Sequence, residues 1–379
     1  MKVFFFHLMS YSALDPQFLE KHDTTWVTLP NSYYDPEVGS ALYHAYLDQL
    51  VHADKLGFDG LALNEHHQTA YGMMPSPNLL AAALARETKN AKIAILGRAL
   101  PLLANPLAVA EEYAMLDNLS RGRLIAGFVR GIGCEYHASG VNPTESHGRF
   151  SEAHDLIIRA WTEPGPFEHR GTYFNFTYVN PWPRPYQKPY PEIWIPSQGS
   201  AETIEWCVRR RYTYCVTFSP LPAVTRYLQQ YKESALKAGY QAPASQLGWA
   251  LPIYVAETDE IAMREAREPI ENFFNKLLRM PMEMLLPPGY ASFASIKAAL
   301  HAKRAITSEQ LTLESLIERG MFIVGSPQKV LDELATRYET LGFGNLIAML
   351  QFGTLSHALT IKNLELFASK VLPQLQALR

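Results

Sequence analysis

Residues 92–129 read KIAILGRALPLLANPLAVAEEYAMLDNLSRGRLIAGFV. An apolar run at Lys92–Arg98 gives a strand, Pro106–Leu119 a helix, and Leu124–Val129 a second strand. Strand, helix, strand in this order predicts two parallel strands with the helix packed outside them.

The same alternation extends in both directions. Upstream, Val3–Leu8 is a strand, residues 40–56 form a helix with Leu42, Tyr46, Leu50 and Ala53 on one face, and Gly60–Asn64 is a strand. Ser76 as N-cap before Pro77 opens a helix over 77–89. Downstream, Arg149–Trp161 is a helix, Ile193–Pro196 a strand, Ala201–Arg209 a helix, Tyr214–Phe218 a strand and Pro222–Ala238 a helix. Leu247–Val255 is a strand, Asp259–Leu278 a helix, Pro327–Leu341 a helix, Asn345–Gln351 the last strand, and a helix over about 357–372 closes the chain. Eight strands alternating with helices predict an α/β fold, a (β/α)8 TIM barrel with insertions, as one domain over 1–379.

Two stretches break the pattern. Residues 163–192, rich in proline and aromatics, predict a small hairpin at FEHRGTYFNF and a proline-stiffened return. Residues 279–320 contain PMEMLLPPGYASF. So apolar an excursion predicts a lid, pivoting at Pro287, Pro288 and Gly289.

The chain has 379 residues, 47% hydrophobic and 19% charged, with a net charge of −3. That balance supports a large core and points to neither nucleic acid nor an anionic membrane as partner. No run approaches the roughly 18 uncharged apolar residues of a membrane helix. The opening MKVFFFHLM is broken by His7 and reads as a first buried strand, not a signal peptide. Three cysteines, Cys134, Cys207 and Cys215, without Cys-x-x-Cys spacing, argue against a disulfide framework or zinc ribbon and for a reducing, cytoplasmic setting. Leu79, Leu80, Ala81, Ala82, Ala83, Leu84 and Ala85 are apolar almost all round the helix, and 106–119 is similar. A two-fold dimer is the expected cover.

In a barrel of this kind chemistry sits where strands end. After the second strand come Asn64, Glu65, His66 and His67. Adjacent histidines lack the i, i+4 spacing of a helical zinc site, so no metal is expected. After the fourth strand, Arg130 and the glycines Gly131 and Gly133 join a cation to freed N–H groups, which suits a phosphate. After the fifth, Gly199 and Ser200 precede a helix with Thr203 in its first turn, another anion site. Arg149 at a helix start is electrostatically unfavourable alone, and a nearby anion would relieve it. Arg130, Arg149, Ser200 and Thr203 are therefore expected to form one phosphate cradle.

The segments GFDGLALNEHH, NPLAVAEEYAMLDNLSRGRLIAGFVRG and SQGSAETIEW together resemble the luciferase-like monooxygenases. The resemblance implies that reduced flavin mononucleotide (FMN), supplied by a separate flavin reductase, binds at the barrel mouth and reacts with dioxygen. The resulting flavin peroxide would oxygenate a small-molecule substrate. It implies His66 as catalytic residue, phosphate contacts at Arg130, Arg149, Ser200 and Thr203, flavin-ring support at a strained Gly97, and dimers. Two positions depart from luciferase: Val129 replaces a reactive cysteine and Gly199 a glutamate. Both weigh against light emission from long-chain aldehydes. The early stretch Leu14–Pro36, with Trp26, Tyr33 and Tyr34, is longer and is expected to shape a different substrate pocket. Deazaflavin-dependent hydride transfer on the same fold and a non-catalytic flavin-binding subunit are the alternatives.

Overall fold

The computed structural model describes residues 1–15, 17–18, 21–290 and 310–378. Its strands, in chain order, are β1 (Lys2–His7), β2 (Gly60–Leu63), β3 (Lys92–Ala99), β4 (Leu124–Val129), β5 (Phe167–Arg170), β6 (Asn175–Val179), β7 (Glu192–Ser197), β8 (Thr213–Thr217), β9 (Leu247–Val255), β10 (Ile323–Gly325) and β11 (Asn345–Met349). Eight of them pair in the order β11, β1, β2, β3, β4, β7, β8, β9, and β9 pairs with β11, so the parallel sheet closes on itself. The fold is a TIM barrel.

The strands read as unbroken apolar runs because both of their faces are buried. Phe4, Phe6, Leu8, Ala62, Ala94, Leu96, Ile125, Trp194, Ala250, Ile347 and Met349 pack inside the barrel. Their neighbours Val3, Phe5, Leu61, Leu63, Ile93, Ile95, Ala126, Ile193, Ile195, Leu346 and Ala348 pack outward under the helices. Phe4 meets Trp194 across the barrel with ring centroids 4.8 Å apart, filling its base.

The insertion at 163–192 does carry the expected antiparallel hairpin, β5 with β6. The helix expected over 259–278 is instead α-helical from Asp259 to Asn272 and π-helical from Phe273 to Leu277. Ser76 stands at the N-cap position before Pro77, but its side chain makes no capping hydrogen bond. The short strand β10 extends β9 and lies outside the eight-stranded ring. Of the expected lid, residues 291–309, Phe293 among them, lie outside the described residues. Among the described residues, no helix is long and apolar enough to cross a membrane.

Candidate active site

The loop after β2 turns its two histidines onto different carboxylates. His66 Nδ1 lies 3.2 Å from Glu135 Oε1, and His67 Nε2 lies 3.0 Å from Glu65 Oε1. Glu65 is also 3.1 Å from Arg98 Nε, too poorly aligned for a hydrogen bond. Glu135 is buried at the start of the helix Gly133–Ser139. It accepts the main-chain N–H of Ile132 at 2.8 Å and of His67 at 3.2 Å. Burial pushes its carboxyl up, but the His66 hydrogen bond and charge together with the Ile132 N–H outweigh this and leave it below the usual range. Glu135 therefore stays ionised and fixes the His66 ring, accepting a hydrogen bond from Nδ1–H and leaving Nε2 as the ring's other working nitrogen. The hydrogen bond that His67 donates to Glu65 raises the His67 pKa, against its partial burial.

Trp26 stands edge-on to His66 at 5.1 Å and stacks on Tyr71 at 4.8 Å. Tyr71 stacks in turn on Phe273 of the π-helical turn at 5.8 Å. The early stretch thus reaches the histidine through Trp26. Tyr33 and Tyr34 pack instead against His22 and Tyr11. Main-chain carbonyls hold this corner together: Trp26 Nε1 and Thr25 Oγ1 both donate to Leu277 O, and Thr24 Oγ1 donates to Arg279 O.

At Gly97 the expectation was a backbone that only glycine tolerates. The Leu96–Gly97 peptide is cis, and the β3–β4 register shifts between Ile95 and Arg98. The demand for glycine is close approach: a Cβ at Gly97 would lie 2.5 Å from the Gly127 carbonyl carbon and 2.6 Å from the Phe128 nitrogen.

The structure splits the expected four-residue phosphate cradle. Arg130 Nη1 donates to Ser146 Oγ (3.3 Å), His147 Nε2 (3.0 Å) and Tyr290 O (3.2 Å). Among the described residues Arg130 Nε and Nη2 have no hydrogen-bond partner. Tyr290 covers the guanidinium with its ring at 4.7 Å and donates its hydroxyl to Gly131 O at 2.6 Å. Burial and the Arg130 charge both lower the His147 pKa, so this ring is held neutral.

Ser200 caps the helix Ala201–Arg210, accepting the Thr203 N–H at 3.4 Å and donating to Glu202 Oε2 at 2.8 Å. The bond from Ser200, aided by the Arg130 charge, holds the Glu202 carboxyl below the usual range, so these groups share one region. Gly199 makes the turn possible, with φ +97° and Tyr227 carbon atoms 2.0 Å from where a Cβ would lie. Arg149 does not join them. Its Nε donates to Pro101 O at 2.8 Å and its Nη2 to Leu103 O at 3.0 Å, with Glu145 at 3.8 Å and the Phe174 ring beneath. The electrostatic penalty at its helix start is relieved within the protein by carbonyls and a carboxylate. Glu135 and His147 were not singled out in the sequence, and Tyr290 was read only as part of the expected lid. The one available signal was an acidic residue placed three after Ile132, the first-turn position that caps a helix.

Among known proteins, 3,6-diketocamphane 1,6-monooxygenase of Pseudomonas putida is 26% identical over 360 residues, covering 86% of this chain and 91% of that one. The solved structure of the oxygenating constituent of that enzyme, in complex with FMN, matches with a TM-score of 0.75 at 23% identity, covering 99% of this chain and 98% of the other. The oxygenase component of flavin-dependent trigonelline monooxygenase from Acinetobacter baylyi is 25% identical over 315 residues, covering 82% and 83%. An F420-dependent secondary alcohol dehydrogenase shares the fold with a TM-score of 0.68 at 14% identity, covering 99% and 98%. Residues 25–344 match the model of the luciferase-like monooxygenases, and the chain belongs to that family.

Proposed function

We propose that this protein is the oxygenase of a two-component system, which takes reduced FMN from a separate flavin reductase and uses dioxygen to oxygenate a small organic substrate. The observation that carries this reading is Arg130. Its guanidinium is held in place through Nη1 while Nε and Nη2 lack partners among the described residues, beside a Ser200-capped helix N-terminus. That donor set fits a phosphate monoester. Relatives named as oxygenase components, and a structural neighbour holding FMN, support the same reading.

The residues that would hold FMN are Arg130, Ser200 and the first-turn N–H groups around Thr203, with Gly97 leaving room beside β3. Bound reduced flavin supplies the electrons that activate dioxygen. The protein supplies orientation, dryness and a proton. Trp26, Tyr71 and Phe273 wall the His66 side with carbon, which keeps water from competing. His66 holds or delivers a proton at Nε2, and Glu135 keeps it in the required tautomer. Arg149 is a brace between its helix and the segment after β3. The segment 282–290 is the described flank of the expected lid, and Tyr290 is its contact with Arg130.

Because the fold also serves F420 in a neighbour, the test is a fluorescence titration of the protein with FMN, riboflavin and a deazaflavin cofactor. FMN is expected to bind at least about ten-fold tighter than riboflavin, the contribution of one charge-assisted contact. Tighter binding of the deazaflavin than of FMN would sink the proposal in favour of hydride transfer. Flavin binding with no dioxygen-dependent turnover on any substrate would make the chain a non-catalytic subunit.

A further inference from the structure

Among the described residues six Asn and Gln side chains are buried, and Asn363, Gln49, Asn345 and Asn78 each make at least one hydrogen bond. Asn363 accepts from Val255 N and donates to Ile253 O and Leu350 O. Gln49 bonds His7 and His357, and Asn345 donates to Ser245 O. Asn64 and Gln351 differ. They are 4% and 0% exposed, and neither the nitrogen nor the oxygen of either amide has a partner among the described residues. Native interiors rarely leave four such atoms unpaired without a functional reason.

The two amides belong to one layer of the barrel. The register pairs Phe5 with Ala348 and His7 with Leu63. Carried on along the strands, it sets Leu8 beside Gln351 on one side and Asn64 on the other. Leu8, Ala62 and Met349 are inward-facing residues, so the period of two points Asn64 and Gln351 inward as well. Both lie at the carboxyl ends of their strands, the end that carries His66, Arg130 and Ser200. Around the ring, β7, whose loop bears Ser200, is four strands from β1 in either direction. The amides therefore flank the point opposite the proposed phosphate site. A phosphate bound at β7 would leave the opposite, β1 side of the mouth, where the amides stand, free for a substrate.

Their chemistry selects a class of substrate. Each carboxamide offers a donor and an acceptor side by side and no charge. The carboxylates nearby are matched within the protein, Glu135 with His66 and Glu65 with Arg98. Leu8 between the amides and the stacked Trp26, Tyr71 and Phe273 rings favour a flat or cyclic apolar body. We infer that Asn64 and Gln351 are specificity-determining residues that bind a neutral cyclic amide, a lactam or pyridone-like ring, through its adjacent N–H and C=O. This rests on the proposed flavin site for its orientation but not for the binding itself.

The test is calorimetric titration of δ-valerolactam, its N-methyl derivative and cyclohexanone into the protein with and without oxidised FMN. The lactam is expected to bind about ten-fold or more tighter than either analogue, because each leaves a buried polar group unpaired. The near-isosteric variants Asn64→Leu and Gln351→Met should each lose about ten-fold in lactam affinity, with FMN affinity held within about three-fold. Equal binding of lactam and ketone by the unaltered protein overturns the inference whether or not the variants fold. Unchanged lactam affinity in folded variants does so too. Loss of FMN affinity instead would reassign the amides to the edge of the flavin ring. If the unaltered protein binds lactam but not FMN, the flavin reading fails and this one stands.

Discussion

Arg130→Ala separates phosphate recognition from everything else that arginine does. Removing the side chain breaks its bonds to Ser146, His147 and the Tyr290 carbonyl, and the stacking on the Tyr290 ring. Those losses fall on any ligand alike, since they loosen the site itself. The two nitrogens without partners among the described residues, Nε and Nη2, are what an FMN phosphate would gain and riboflavin would not. A charge-assisted hydrogen bond contributes roughly 1.5–3 kcal/mol, so the FMN-to-riboflavin affinity ratio should fall by about 10- to 150-fold. Arg149→Ala is the matched control. Its donors serve Pro101 and Leu103 carbonyls, so it should lower Tm while leaving the ratio within about two-fold, the effect of a brace and not of a ligand. Flavin fluorescence quenching measures the ratio, and thermal unfolding followed by circular dichroism measures Tm. An unchanged ratio in Arg130→Ala, or a collapse of the ratio in Arg149→Ala, refutes the division of labour argued here.

His66→Ala should leave FMN affinity nearly unchanged and lower kcat by roughly 100-fold, while Glu135→Gln, which keeps shape but not charge, should shift the pH profile of kcat to lower pH. A larger loss in His67→Ala than in His66→Ala would mean that the other ring does the chemistry. The His67–Glu65 pair raises the histidine pKa above 6.5. Its stabilisation is full below that value and lost as pH rises through the folded pKa, so the Tm gap between the protein and His67→Gln should narrow from pH 6 to pH 8. A gap that widens over that range contradicts the pairing. Gly97→Ala should cost about 3 kcal/mol or more in urea unfolding, because main-chain atoms of β4 stand where its Cβ must go. Leu79, Met115 and Leu119 are 74%, 52% and 48% exposed on neighbouring helices. We propose this face as the two-fold dimer contact, and light scattering of Met115→Lys should show a monomer where the unaltered protein gives a dimer.

The architecture was legible because each strand carries apolar residues on both faces and each helix on one. Pro106–Leu119, Leu124–Val129 and Leu247–Val255 begin and end where the sequence places them. Asn105 and Pro106 mark one start by their own chemistry, the side chain accepting the Leu107 N–H at 3.0 Å. The helix Gly133–Ser139 was missed because Gly131 and Gly133 read as a turn, and Glu135 was lost with it. The strand β10 is too short, at 3 residues, to show a period. The contacts of Arg149 were hidden for a different reason. The carbonyls of Pro101 and Leu103, which accept from its Nε and Nη2, carry no side-chain signature in the sequence. Residues at strand ends were readable as a set; which of them face one another depends on loop paths that only the folded chain displays.

The proposed use of flavin and dioxygen to put oxygen into an organic molecule has a direct test. The protein is incubated with a reductase, reduced FMN and a panel of neutral cyclic amides and ketones under heavy-isotope dioxygen, with mass detection of products. The expected product carries one labelled oxygen atom and forms only with FMN, dioxygen and an intact His66. Product that carries no label, or turnover that requires a reduced deazaflavin and proceeds without dioxygen, would contradict the proposal.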